Sequence, residues 1–148
     1  MAIPKLNDIL EIGCGPKDRW ARGTEGIDLI DFGQKYVGDF MTFDFPKKYN
    51  AIIAHHLIEH IPDTVAFFNK VGEVLNLAGI IDIRVPTVPF LYAFVDPTHV
   101  KFIPDENFFK YFTKDSPAGH CYSKTEFEIV RYERDRFEWE LHIILARV

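Results

Sequence analysis

Three groups of residues in this chain have types and spacings that could do chemistry. The first is a glycine turn, Glu11-Ile12-Gly13-Cys14-Gly15-Pro16, followed downstream by Asp28 and Asp39. Glycines placed directly after an apolar run let a backbone approach a ligand closely. The surrounding carboxylates narrow the choice of ligand. Asp18 stands where a dinucleotide fingerprint has its third glycine, and Asp28 closes the next apolar run. A pyrophosphate here would meet like charge, at a cost on the order of kilocalories in a partly buried site.

S-adenosylmethionine has a sulfonium, an ammonium and no phosphate, so acidic groups at the strand ends attract it, and Asp28 is placed to accept from both ribose hydroxyls. The second group is His56-Leu57-Ile58-Glu59-His60. This matches the H-x-x-E-H pattern of some zinc hydrolases, in which two histidines one helical turn apart bind metal and the glutamate is the base. His55, His99 or His120 could supply a third ligand. The pattern directly follows an apolar run that reads as a strand, and the chain is short for a metalloprotease. Hydrogen bonds from Glu59 and His60 that start a loop or helix account for them without metal, so no metal site is assigned.

A third segment, Asp96-Pro97-Thr98-His99, follows the apolar run of residues 79–85. It is the best candidate for catalytic residues, because an acceptor hydroxyl or amine that must lose a proton gains about 10²- to 10⁴-fold from a nearby base. Asp96 as a turn cap and His99 as a satisfied loop histidine is the plainer alternative. Phe90, Tyr92 and Phe94 form either an acceptor wall or core.

Positioning such groups needs a scaffold. Apolar runs at residues 9–12, 26–30, 36–39, 49–54 and 79–85 alternate with turn-rich pieces, the rhythm of a parallel sheet. Residues 49–54 are apolar throughout and read as a central strand covered on both faces. Pro62-Asp63 opens a helix with Val65, Phe68, Val71, Gly72 and Leu75 at helical spacing and Gly79 at its end. A short helix is expected over residues 105–112 with Phe108, Phe109 and Phe112 inward, and a terminal antiparallel hairpin over residues 127–132 and 138–148.

With 148 residues and 47% hydrophobic content, the chain suffices for a single domain, residues 1–148, with one core. Cys14 and Cys121 form no Cys-x-x-Cys pair, which points to a reducing, cytoplasmic setting. No signal-like run opens the sequence and no stretch approaches a membrane span. Net charge is −5, and Arg131, Arg134 and Arg136 are interleaved with Glu133 and Asp135, a solvated mixed-sign turn and not a nucleic-acid patch.

From about Leu6 to Phe112, and more loosely to the end, the sequence resembles the class I S-adenosylmethionine-dependent methyltransferases, in particular small bacterial or phage members of the methyltransferase-domain 11 type. Glu11-Ile-Gly-Cys-Gly is similar to the family's first motif, and Gly26-Ile-Asp28-Leu29 to its ribose-binding acid. Val37-Gly-Asp39-Phe40 resembles the adenine-side acid, and residues 56–63 the family's post-strand segment. The resemblance implies a three-layer αβα sandwich with a Rossmann-like, mostly parallel sheet. It implies that Gly13, Cys14, Gly15 and Pro16 pass under the methionine part, that Glu11 orients its ammonium through water, that Asp28 and Leu29 meet the ribose, that Asp39 and Phe40 meet the adenine, and that His55 lines the pocket.

The sequence departs from the family where Lys17 replaces a third glycine, where only residues 16–25 are left for the first crossover, and where only ten residues precede Glu11. The first half is therefore expected to be reduced, and the site to be open or completed by a second subunit in a homodimer. The expected reaction is methyl transfer from S-adenosylmethionine, leaving S-adenosylhomocysteine, to a small-molecule or sugar-type acceptor. A non-catalytic S-adenosylmethionine-binding or scaffolding domain is the alternative, ahead of a zinc hydrolase built on His56, Glu59 and His60.

Overall fold

β-Branched and aliphatic runs separated by glycine, proline and acidic turns pair into one seven-stranded sheet. The computed structural model describes residues 8–137 and 139–148. The expectations for residues 1–7, including the start of the resemblance at Leu6, and for Glu138 lie outside the described residues. The strands are β1 (Ile9–Ile12), β2 (Glu25–Asp28), β3 (Tyr36–Val37), β4 (Tyr49–His55), β5 (Leu75–Pro86), β6 (Phe127–Arg134) and β7 (Glu140–Arg147). Their order across the sheet is β3-β2-β1-β4-β5-β7-β6. The first five pair in parallel, and β6 and β7 form an antiparallel hairpin against β5, as the sequence led us to expect.

One face of the sheet carries the core. Leu10, Ile52, Ile81, Ile83, Ile143 and Leu145 are fully buried there, under Phe67, Phe68 and Val71 of helix α1 (Thr64–Val74). Each such side chain contributes roughly 1.5–3 kcal/mol of burial. Phe68 is the hub: its ring packs 4.2 Å from Phe112, 5.4 Å from Phe127 and 5.5 Å from Phe67. The expected short helix forms as α3 (Asn107–Lys110), after α2 (Tyr92–Val95), with Phe109 and Phe112 buried and Phe108 half-buried against the same core.

The opposite face is thinly covered. The loop of residues 13–24 lies over the β1 end, where the Ala21 N–H and the Thr24 hydroxyl donate to Glu11. Farther along, His55, Asp82 and His142 form a partly exposed polar cluster, Asp82 accepting from both histidines at 2.9 and 2.8 Å. Among the described residues α1 is the only helix longer than four residues, which matches the reduced first half inferred from residues 16–25.

Two boundaries moved. Asp63 caps α1 through the Ala66 N–H, as Pro62-Asp63 suggested, but the helix ends at Val74 and not at Gly79. Leu75 leaves it directly as the first residue of β5, pairing with Tyr49, because its fully buried side chain is needed beside the sheet core. Gly79 lies inside β5 at a bulge, where a Cβ would stand 2.8 Å from the Asn76 carbonyl. The mixed-sign run expected as a turn is largely strand β6, with Arg131 paired to Glu133 and Arg134 to Glu106. Among the described residues, no helix is long and apolar enough to cross a membrane.

A candidate site at the carboxyl edge of the sheet

The chain leaves β1 toward β2 and β3 on one side and returns to β4 and β5 on the other, so β1 and β4 mark the switch point where open α/β sheets bind ligands. Two cavities open at that edge. The first, about 260 Å³, is lined by Gly13, Asp28, Leu29, Asp39, Phe40 and Leu57 among others. The second, about 780 Å³, is lined by His56, Glu59, His60, Phe90, Asp96, His99, Trp139 and neighbours. The segment of residues 56–61 is their shared wall: Leu57 and Ile61 face the first, while His56, Glu59 and His60 face the second.

The first cavity is held by backbone. Gly13 and Gly15 adopt φ of 65° and 61°, which glycine reaches without penalty. The Gly13 N–H donates to the Ile27 carbonyl at 2.8 Å, fixing the turn across β2. Asp28 accepts from the N–H groups of Gly15 and Ile30, both at 3.0 Å, so its carboxylate is anchored at the cavity wall with acceptor capacity remaining. Asp39 caps its own turn through the Met41 N–H. Phe40 is buried against Phe45 and Phe67 and reaches the cavity from the core side. Leu29 is exposed on the rim.

The structure gives three of the expected cofactor residues other duties. Glu11 is buried and ties down Ala21 and Thr24, holding the short crossover shut. Cys14 turns away from the cavity and packs over Gly26. A Cβ there would lie 2.7 Å from the Cys14 sulfur, and burial, then the Asp28 and Glu11 charges, push the thiol pKa up. His55 points to the open face of the sheet, where it binds Asp82, so the structure does not bring it to Asp28 and Asp39. Alternation along β4 sends Ala54 to the core and His55 the other way. Pro16 precedes a single 3₁₀ turn at Lys17–Arg19, and Trp20 closes the loop by donating to the Gly15 carbonyl at 2.7 Å.

The second cavity is held by side chains from distant segments. After β4, His56 takes a left-handed φ of 52°, a conformation costly for a residue with a side chain. It is braced by its N–H on the Arg84 carbonyl at 2.8 Å and by Nε2 against Glu140 at 2.8 Å. The Glu59 carboxylate, 3.7 Å away, and Glu140 hold the His56 imidazolium above its ordinary pKa despite burial. A 3₁₀ turn at Ile58–His60 then carries Glu59 inward, where it is only 2% exposed, and His60 beside it.

The loop after β5 crosses this turn, with the Val100 N–H on the Glu59 carbonyl at 2.9 Å. It brings Asp96 and His99 together with His60. Thr98 donates to Asp96 at 2.6 Å and accepts from His60 Nδ1 at 2.8 Å, and His99 Nδ1 donates to the Ala93 carbonyl at 2.9 Å. Hydrogen bonds from Thr98 hold the Asp96 carboxyl below its usual pKa. Phe90 stacks on Trp139 at 4.3 Å as a flat wall, while Phe94 packs on Phe102.

No family model matches the sequence, and no curated protein matches it. Solved structures do. An S-adenosylmethionine-dependent methyltransferase from Clostridium acetobutylicum aligns over 95% of this chain and 84% of its own, at 11% identity and a TM-score of 0.65. CalS10, an amino pentose methyltransferase from Micromonospora echinaspora solved with S-adenosylmethionine, aligns over 98% and 85%, at 12% identity and 0.63. The fold is that of the S-adenosylmethionine-dependent methyltransferases. The [4+2]-cyclase SpnF shares it too, over 93% of this chain and 73% of its own, at 13% identity and 0.62. In a methyltransferase fold the chemistry is therefore argued from the site and not from the architecture.

Within this methyltransferase fold, sequence reasoning missed Trp139 and Glu140, which enter the second cavity from the last strand and the turn before it. It also missed the joining of His60 to His99, since 38 residues separate the Thr98–His60 hydrogen-bond partners and no spacing announces the pairing. The helical premise of H-x-x-E-H fails: His56 lies in a left-handed turn after β4, bound to Glu140, and shares no helical face with His60.

Proposed function

We propose that this chain transfers the methyl group of S-adenosylmethionine to a small-molecule acceptor, with the cofactor at Asp28 and Asp39 and the acceptor in the histidine-lined cavity. The carrying observation is the shared wall: residues 56–61 separate a carboxylate-edged cavity from an aromatic and histidine-lined one at the switch point of the sheet. Transfer to an in-line acceptor needs chiefly positioning, because the methyl carbon is already activated. Asp28 would receive the ribose hydroxyls, and Asp39 with the Phe40 backbone the adenine edge. The turn at Gly13 and Gly15 would pass under the methionine part.

In the acceptor half, Asp96 positions Thr98 and, through it, His60, while His99 Nε2 sits between the Asp96 and Glu59 carboxylates at 3.8 and 4.0 Å. The proton of an acceptor hydroxyl leaves through this cluster. A small or sugar-type hydroxyl compound fits a cavity of about 780 Å³ walled by Phe90 and Trp139. The free Cys14 and Cys121 fit work in a reducing cytoplasm.

Calorimetric titration with S-adenosylmethionine tests the reading, with NAD as control. Micromolar binding is expected from the first and none from NAD. Asp28→Ala should weaken it roughly 10- to 100-fold, the worth of about 1.5–3 kcal/mol for hydrogen bonds to a charged group. Binding without turnover on any acceptor, and indifference to changes at Asp96 and His99, would instead establish a non-catalytic cofactor-binding domain.

A further inference from the structure

We propose that Glu59, His60 and His99 form a binding site for a divalent first-row metal ion, zinc matching the donors best, on the wall of the second cavity. We infer further that the ion's open positions take an acceptor oxygen. This second part rests on the methyl-transfer reading; the first part does not.

Each of the three residues offers a ligand atom, and these atoms all lie within 4.8 Å of one another. Zinc bound at about 2.0–2.2 Å needs ligand atoms about 3.4 Å apart, so the shell closes by up to about 1.4 Å on loading. The tautomers suit this. His99 Nδ1 faces a carbonyl, which can only accept, so in the neutral ring that a metal ion requires the proton sits on Nδ1 and Nε2, 3.8 Å from Asp96 and 4.0 Å from Glu59, offers its lone pair. Thr98 gives its single proton to Asp96, so its oxygen accepts from His60 Nδ1 and leaves His60 Nε2 bare as well. Metal-binding histidines are oriented by oxygen partners on the other ring nitrogen in the same way.

An independent observation comes from Glu59. Its side chain is 3% exposed, and its Oε2 has no hydrogen-bond partner among the described residues. A buried carboxylate oxygen without a donor costs several kcal/mol unless a cation meets it. Its other oxygen faces imidazoles, His56 Nδ1 at 3.7 Å and His99 Nε2 at 4.0 Å. His56 is taken by Glu140, which leaves His60 and His99 to share the ion. Two imidazoles and one carboxylate are a recurrent zinc set, and it leaves coordination positions open toward the cavity. With the ion bound, His60 and His99 no longer take the acceptor's proton themselves: a hydroxyl coordinated there loses it to water at a lower pH than a free one. The oxygen then bonds the methyl carbon as the carbon–sulfur bond breaks, the electron pair staying on sulfur.

The test is titration of the chelator-treated full chain with cobalt(II), read by its visible absorption. One equivalent should bind with a low-symmetry, four- or five-coordinate spectrum. His60→Ala and His99→Ala should each weaken it by at least about 100-fold, and Thr98→Val, which removes only the orienting partner, by about 10-fold. His142→Ala and His120→Ala should bind as the parent does. His60→Gln serves as the check if His99→Ala does not fold, with far-UV circular dichroism reporting the fold of each variant.

Absence of a stoichiometric spectrum, or cobalt binding unchanged in folded His60→Ala and His99→Ala, would overturn the site. S-adenosylmethionine is titrated into the same samples. Cobalt bound by these ligands with no cofactor binding would leave the metal site standing and remove the methyl-transfer reading. Cofactor binding with no cobalt would do the reverse.

Discussion

The two cavities are made in opposite ways. The cofactor-side cavity is local: Gly13 and Gly15 follow β1, Asp28 ends the neighbouring strand, and backbone N–H groups hold the carboxylate in place. The histidine cavity gathers His56, Glu59 and His60, the segment from Phe90 to His99, and Asp135, Trp139 and Glu140, and side chains hold one another there through Thr98, Asp96 and Glu140. A site built on backbone tolerates many side chains around it, whereas one built on interlocked side chains loses its geometry when a single partner goes. The same contrast runs through the sheet, whose helix-covered face is apolar while its thinly covered face carries His55, Asp82 and His142.

The largest expected effect breaks the apolar, helix-covered face of the sheet. Phe68→Ala removes the ring that joins α1 to Phe112 and Phe127, and should cost about 3–5 kcal/mol in denaturant unfolding. Hydrogen exchange should rise first in β6 and in the segment around α3. An unfolding free energy within 1 kcal/mol of the parent, on the order of a surface change, would mean the cluster is not the keystone drawn here.

A smaller effect is expected on the cofactor side. Gly26→Ala puts a methyl 2.7 Å from the Cys14 sulfur and 3.1 Å from the Gln34 Cβ, costing about 1–3 kcal/mol by overpacking. S-adenosylmethionine binding should fall in this variant while cobalt binding at His60 and His99 persists. Loss of both together would show that the two cavities are one cooperative unit.

The smallest effect concerns the far end of the same half. Burial raises the Glu25 carboxyl, but hydrogen bonds from Tyr49, Lys47 and Lys35 outweigh it, leaving a pKa of about 2 against an ordinary 4.5. Folding is therefore favoured by Glu25 above about pH 4.5, and that contribution is lost as pH falls toward 2. Glu25→Gln should flatten the decline of thermal midpoint between those pH values. An equally steep acid limb in the variant would assign acid unfolding to other groups.

Most of the sheet was legible because it rests on local signals: apolar runs at strand length, turn residues between them, and Pro62-Asp63 before α1. The glycine turn and Asp28 were legible for the same reason, each being a short-range consequence of strand followed by turn. Gly79 misled because a glycine after an apolar helix looks the same whether it ends the helix or sits in a bulge of the next strand. The choice was made by Leu75, whose burial beside Tyr49 drew the chain into β5 four residues before Gly79.

What the amino-acid order determined by itself was the alternation of strands and turns, the hairpin at the end, and a phosphate-averse, acid-edged turn after β1. Only the tertiary structure decided that Glu11 and Cys14 serve the loop, that His55 faces away from the cofactor-side cavity, and that Glu59, His60 and His99 meet beside Trp139. Strand and turn preferences act over a few residues, so they can be read along the chain. Which side chains converge across 40 or more residues depends on how β4, β5 and β7 register in the sheet and on where the loop after β5 crosses back, as at the Glu59–Val100 hydrogen bond.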